Sequence, residues 1–251
     1  MSLIRLDNFI ATACGLSRKD AKGLIRAGRI TVSGRTALSG EEKIDPAAPV
    51  LLDGTPLDYR PHVILMMHKP AGILTASQDT RRTTVLDLLP DRYRRRKIAP
   101  AGRLDLDTTG LLILTDDGPF AHRMLSPRSH VPKTYLVRLD APVDQTLIAA
   151  FAAGTSLPDG TPCRPARLRI LDHSPDTGQP LVELVICEGK YHQVKRMFGA
   201  HGIGVTALHR AAIGGLALDP DLPPGGVREL SDAESILLLQ PEPPFLTQWP
   251  E

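Results

Sequence analysis

The chain lacks long apolar runs, paired cysteines and any strong overall charge, and each shortage removes a class of function. None of its hydrophobic stretches approaches the ~20 residues that span a bilayer, and one of the longest, residues 181–187, is interrupted by Glu183. Residues 1–15 carry Arg5 and Asp7 inside an amphipathic pattern, so no signal peptide is expected. Cys14, Cys163 and Cys187 are odd in number and far apart, which fits neither a disulfide framework nor a metal site and points to a reducing cytoplasm. His122 and His130 have no partner at metal-ligand spacing and read as surface or packing residues, and no internal repeat is visible. The net charge of +2 says little by itself.

What the chain does have is 251 residues with 42% hydrophobic content, enough for a sizeable core in one or two domains. Its positive charge is gathered in two places. Residues 1–35 hold seven Lys or Arg against two acids, and residues 81–105 hold eight against three. Clustered cations in a nearly neutral protein are the footprint of a phosphate-backbone binder.

Leu6, Phe9, Ile10 and Ala13 share a helical face, which predicts a helix over 4–14 ended by Gly15. Ser17 and Asp20 form a capping-box pattern for a second helix with Ala21, Leu24 and Ile25 as its stripe and Gly28 at its end. Arg18, Lys22 and Arg26 line another face of that helix, a ridge suited to phosphates. Residues 30–32 and the Ser33-Gly34 turn add a short hairpin. The acidic stretch after residue 36 and Pro61 put the first domain at 1–60, a second at 61–234, and a Pro-rich tail at 235–251 with Pro241, Pro243, Pro244 and Pro250.

In the second domain, residues 63–67 read as a strand followed by His68-Lys69-Pro70-Ala71-Gly72. The string Gly102-Arg103-Leu104-Asp105-Leu106-Asp107-Thr108-Thr109-Gly110-Leu111 then sets a carboxylate, Asp105, at the mouth of an apolar strand over 111–115. Arg103 can hold an anion or counter that charge. A strand from Lys133 puts Tyr135, Val137 and Leu139 on one face and Arg138 on the other. After a buried-strand pattern at 181–187, residues 188–198 open a helix whose stripe includes Tyr191, Val194 and Phe198, with Lys195 beside it.

These motifs resemble those of the RNA pseudouridine synthases, in the branch that modifies bacterial ribosomal RNA. The resemblance extends through Leu208-His209-Arg210, Ile213-Gly214-Gly215-Leu216, Leu218 and Pro224-Gly225, and so covers nearly all of residues 1–234. Residues 1–35 are similar to S4 RNA-binding domains at Arg5-Leu6-Asp7, Ser17-Arg18, Gly28-Arg29-Ile30-Thr31-Val32 and Gly34.

The resemblance implies an α+β fold: a small S4 domain of two helices and a small sheet, then a catalytic domain whose central, mainly antiparallel mixed sheet carries a cleft. It implies Asp105 as the catalytic carboxylate, either attacking ribose C1′ or assisting removal of the C2′ proton, with no cofactor and no metal. Asp107 would brace the loop, Lys69-Pro70 would position it, and His68 stands where the family usually has Asn. Tyr135 would stack on the extruded uracil and could accept the C2′ proton. Lys195 would pair with Asp105 and keep it ionised, with Arg196 as the fallback partner or a contact to RNA phosphate.

Arg5, Arg18, Lys19, Lys22, Arg26 and Arg29 would grip RNA together with Arg94, Arg95 and Arg96 of the 92–97 run, which reads equally as a clamp near the Asp105 loop or as a mobile surface loop. Ser126-Pro127-Arg128 ahead of Lys133-Thr134-Tyr135 resembles the small-subunit branch more than its large-subunit relatives, which implies 16S rather than 23S ribosomal RNA as the substrate. The reading expects a cytoplasmic monomer that binds ribosomal RNA in a small-subunit assembly intermediate and no membrane. Two rivals are a ribosome assembly factor without chemistry, and a metal-dependent glycosyltransferase using Asp105-x-Asp107.

Overall fold

The computed structural model describes residues 3–126, 128–174 and 176–244. Pro127 of the Ser126-Pro127-Arg128 motif and Pro250 of the tail lie outside the described residues. The chain divides into two compact units, Met1–Val63 with Leu89–Ile98, and Ile64–Leu88 with Ala99–Glu251.

In the first unit, β1 (Ile4–Arg5) leads into α1 (Leu6–Cys14). The helix starts two residues later than its periodicity predicts because Ile4 and Arg5 pair with Ile44 and Lys43 of β4 (Lys43–Ile44). Gly15 closes α1 in the left-handed conformation, where glycine carries no Cβ penalty. At Ser17 the capping box is complete: the Ser17 hydroxyl accepts from the Asp20 amide, and the Asp20 carboxylate accepts from the Ser17 amide. It starts α2 (Arg18–Arg26). A small antiparallel sheet follows, in the order β3 (Arg35–Thr36), β2 (Ile30–Val32), β5 (Val50–Leu52), β6 (Thr55–Pro56). Leu6, Phe9, Ile10, Ile25, Ile30 and Val50 form the core, and Tyr59 stacks on Phe9 with ring centroids 4.6 Å apart. The 92–97 run, for which the sequence predicts a clamp beside the Asp105 loop, folds as part of this unit: Tyr93 is buried, and Arg96 donates to the carbonyls of Arg60 and Pro61 at 3.0 and 2.8 Å.

The second unit is built on a nine-stranded sheet with the principal order β11 (Arg167–His173), β12 (Pro180–Ile186), β10 (Lys133–Leu139), β13 (Val205–Ile213), β9 (Thr109–Thr115), β7 (Ile64–Lys69), β15 (Val227–Glu229). Two short strands join it, β8 (Ala99–Pro100) on β9 and β14 (Leu216–Ala217) on β13. Every pairing is antiparallel except β13 with β9. This is the mixed, mainly antiparallel α+β architecture that the family resemblance implies. Residues 111–115 of β9 are buried on both faces of the sheet, hence their unbroken apolar run. The helices among the described residues of the unit are α3 (Gly118–Leu125), α4 (Gln145–Ala153), α5 (Gln193–Gly199) and α6 (Asp232–Leu237). Among the described residues no helix is long and apolar enough to cross a membrane.

Two of the expectations from sequence do not hold. The boundary at 234/235 falls inside α6, and Leu238 is fully buried in the cluster containing Met66, Leu111 and Ile113, so packed structure continues past the predicted start of the tail. Tyr191 is not on the apolar stripe of a helix: α5 begins only at Gln193, and the Tyr191 ring is 69% exposed and stacked on His192.

Candidate active site

Strand β9 is entered through a loop, residues 102–108, held in place from beneath. Lys69, the last residue of β7, lies opposite Gly110 of β9 and is completely buried. Its ammonium donates to the carbonyls of Pro70, Leu106 and Thr108 at 3.0, 3.2 and 2.9 Å. Burial pushes its pKa down to about 8, against the opposing pull of Asp107 and Asp105. The Thr75 hydroxyl donates to the Leu104 carbonyl at 2.9 Å, and the Gly72 amide donates to that of Leu106 at 2.8 Å. Carbonyl groups along the loop therefore have donors, as partly buried backbone requires.

Gly110 permits the crossing to β13. Its φ is +107°, and a β-carbon there would press on the backbone of Arg210, 2.7 Å from its nitrogen and closer still to its carbonyl oxygen. The close approach brings the loop against the wall formed by β10 and β13. There Tyr135 of β10 stands opposite Arg210 of β13. Together these elements surround a cavity of about 430 Å³ whose lining includes Arg103, Asp105, Thr108, Lys133, Tyr135 and Arg210. That volume lies within the range of small-ligand sites.

Asp105 is at the rim, with 29% of its side chain exposed and Oδ1 3.6 Å from His192 Nε2. Tyr135 is buried on the wall. The expected Lys195–Asp105 pair is not formed. Lys195 Nζ lies 2.6 Å from both oxygens of Asp107, and holds that carboxyl below the usual carboxylate range. The cause is local: His192 adopts a left-handed conformation (φ 48°) as the N-cap of α5 and takes the place beside Asp105, while Lys195 in the first turn meets the loop two residues further on. Arg196 is turned to Asp159, 2.6 Å away, and is not a lining residue of the cavity.

The cations of the first unit are largely occupied within the protein. Arg5 and Arg18 each reach the buried carboxylate of Asp7 at 2.9 Å, and Lys22 reaches it at 3.8 Å. Arg29 pairs with Asp53, and Arg94 with Asp91 at 2.9 Å. Lys19, Arg26 and Arg95 are exposed.

Sequence reasoning misses three residues of the cavity: Lys133, His192 and Arg210. A basic residue inside the apolar strand pattern of 208–213 is the signal by which Arg210 could have been found. Lys133 donates to the Val131 carbonyl at 2.7 Å, and burial, followed by the nearby Arg210, lowers its pKa to about 8.

Residues 63–200 match the family described as RNA pseudouridylate synthase. The chain is 43% identical over 240 residues to an uncharacterised RNA pseudouridine synthase, YtzG, of Bacillus subtilis, covering 95% of this chain and 100% of that one. It is 43% identical over 234 residues to ribosomal small subunit pseudouridine synthase A of Escherichia coli K12, covering 92% and 98% of the two chains. A solved structure described as a pseudouridylate synthase superposes with a TM-score of 0.64 at 39% identity, covering 94% of this chain and 99% of that one.

Proposed function

The chain belongs to the RNA pseudouridylate synthase family and is an isomerase acting on RNA, and from that premise we propose that it converts a uridine of small-subunit (16S) ribosomal RNA to pseudouridine, with Asp105 as the essential group. The observation that carries this reading is the position of Asp105: a part-exposed carboxylate on a cavity large enough to admit a base, whose lining also includes the aromatic ring of Tyr135. A uridine cannot reach such a carboxylate while stacked in RNA, so the target nucleotide is flipped out, at an unstacking cost of a few kcal/mol.

Inside the cavity the N1–C1′ bond breaks, the ring turns, and a C5–C1′ bond forms. Atoms are conserved and no electrons are gained or lost overall, so one carboxylate suffices, by attack on C1′ or by assisting loss of the C2′ proton. Tyr135 supplies a stacking face for the uracil, and Lys69 and Thr75 keep the Asp105 loop in register with it. Lys195 acts at one remove, bracing Asp107 and through it the loop.

A metal-dependent reading of Asp105-x-Asp107 is disfavoured, because Asp107 is paired with Lys195 and, among the described residues, no group of three or more His, Cys, Asp or Glu side chains could hold a metal ion. The S4-like first unit supplies RNA-binding cations, in a cytoplasmic protein acting during small-subunit assembly. The test is Asp105→Asn, assayed by tritium release from uridine-labelled ribosomal RNA. Product formation should cease with RNA affinity retained; continued turnover refutes the assignment. Mapping pseudouridine in 16S and 23S ribosomal RNA with and without the protein identifies the substrate.

A further inference from the structure

Arg210 carries a charge that neither the chemistry of Asp105 nor the support of its loop uses. It lines the catalytic cavity, is 5% exposed, and is anchored by its Nε, which donates to the Leu111 carbonyl at 2.8 Å. Its Nη2 is shielded from solvent and has no hydrogen-bond partner among the described residues. Among the described residues no carboxylate is paired with it. Among the described residues the guanidinium is held only through Nε, so it keeps donor capacity for a ligand in the cavity that it lines. Lys133 stands two residues from Tyr135 on the same wall and meets the same cavity. Burial and Arg210 itself lower the Lys133 pKa to about 8. Arg210 and Lys133 thus border, with Arg103 and Lys190, a space whose carboxylates are Asp105 and Glu188, the latter tied to Lys190.

We propose that Arg210, with Lys133 beside it, donates to a carbonyl oxygen of the flipped uracil and stabilises the ring while it is detached from the sugar. The inference rests on the pseudouridine-forming reading of the site. When N1–C1′ breaks, the bonding pair stays on the ring, and the negative charge is shared among N1 and the carbonyl oxygens. This holds whether Asp105 attacks C1′ or assists loss of the C2′ proton. To present C5 to C1′ the ring turns about the axis through N3 and C6, which exchanges N1 with C5 and O2 with O4. A fixed donor that meets one carbonyl before the turn therefore meets the other after it. C5 then bonds to C1′, either displacing the Asp105 carboxylate or as C2′ regains its proton; C5 loses its own proton, N1 gains one, and the ring ends neutral. A preorganised cation aimed at developing charge is worth far more in a closed site than in water.

The test is an enzyme–substrate double-mutant cycle. Single-turnover conversion is measured on a ribosomal RNA fragment carrying uridine, 2-thiouridine or 4-thiouridine at the mapped position, with the unaltered protein, Arg210→Met and Arg210→Lys. Sulfur is the weaker acceptor. At least one thio substitution should slow the unaltered protein. Arg210→Met should slow uridine conversion by about a hundredfold or more with unchanged RNA affinity, and should be several-fold less sensitive to that sulfur. Arg210→Lys should recover part of the loss. Equal losses for Arg210→Met on all three substrates, or no effect of either sulfur on the unaltered protein, overturn the inference. Should Arg210→Met not fold, Arg210→Lys is carried through the same cycle and decides by the same criterion. Turnover by Asp105→Asn in parallel would instead bring down the reading on which the inference rests.

Discussion

Lys69 is the side chain on which the geometry of the Asp105 loop depends, since three carbonyls converge on one buried ammonium. Lys69→Met removes their donor while keeping the bulk. It should lower stability by about 2–4 kcal/mol and slow conversion at saturating RNA, read by urea unfolding and single-turnover assays. Gly110→Ala should be at least as damaging, because φ of +107° and the backbone of Arg210 leave a methyl group nowhere to go. The two lysines that burial lowers to about 8 give opposite pH trends for stability and activity. Between about pH 8 and the usual lysine value near 10.5 the unfolded chain binds more protons than the folded one, so these two groups make stability rise with pH across that window. Conversion should fall over the same range as Lys133 loses its charge beside the uracil. Lys133→Arg should carry this alkaline limb to higher pH, measured as a single-turnover pH profile, and an unmoved limb would exclude Lys133 as its source.

At the scale of elements, the caps are the local features that the sequence specifies most directly. Ser17→Ala should cost about 1 kcal/mol, because Ser17 and Asp20 satisfy each other's backbone amides at the start of α2; thermal melting checks it. Ser231, with the same reciprocal arrangement toward Glu234 in α6, should behave alike. Strands β9, β10 and β12 are legible as apolar runs, and α1 and α2 as periodic stripes between a cap and a glycine. Helix α4 is not, because QTLIAAFAA is apolar on most sides and its pattern has no clear face. Nor is the parallel pairing of β9 with β13, which joins residues about a hundred positions apart through the gap left by Gly110. The partner of Lys195 escapes the sequence for a related reason. Spacing along the chain places a lysine near the loop, but the left-handed turn at His192 decides which of two aspartates it meets.

For the molecule as a whole, the cations of the first unit divide into those that hold it together and those left over for a ligand. Arg18→Ala removes a partner of the buried Asp7 carboxylate, whose pKa the Arg5 and Arg18 side chains hold down at about 2. It should therefore lower the melting temperature, with a deficit that shrinks as pH falls from about 4 to about 2 and Asp7 takes up its proton. Exposed Lys19, Arg26 and Arg95 make no such demand on the fold. Replacing all three with Gln should leave melting unchanged while flattening the dependence of RNA affinity on salt, by about one unit of log–log slope for each phosphate no longer neutralised. An unaltered slope would remove these residues from the RNA interface. The first unit is also discontinuous, completed by Leu89–Ile98 after the backbone has already begun the second. On the ribosome its hydrophobic centre, drawn from residues 4–59, is made first, and Leu89–Ile98, encoded about thirty codons past Val63, is added afterwards. A gene fusion spliced at a single junction near residue 63 would likewise transplant a head without its last piece, and leave an arginine-rich insert stranded in a foreign body.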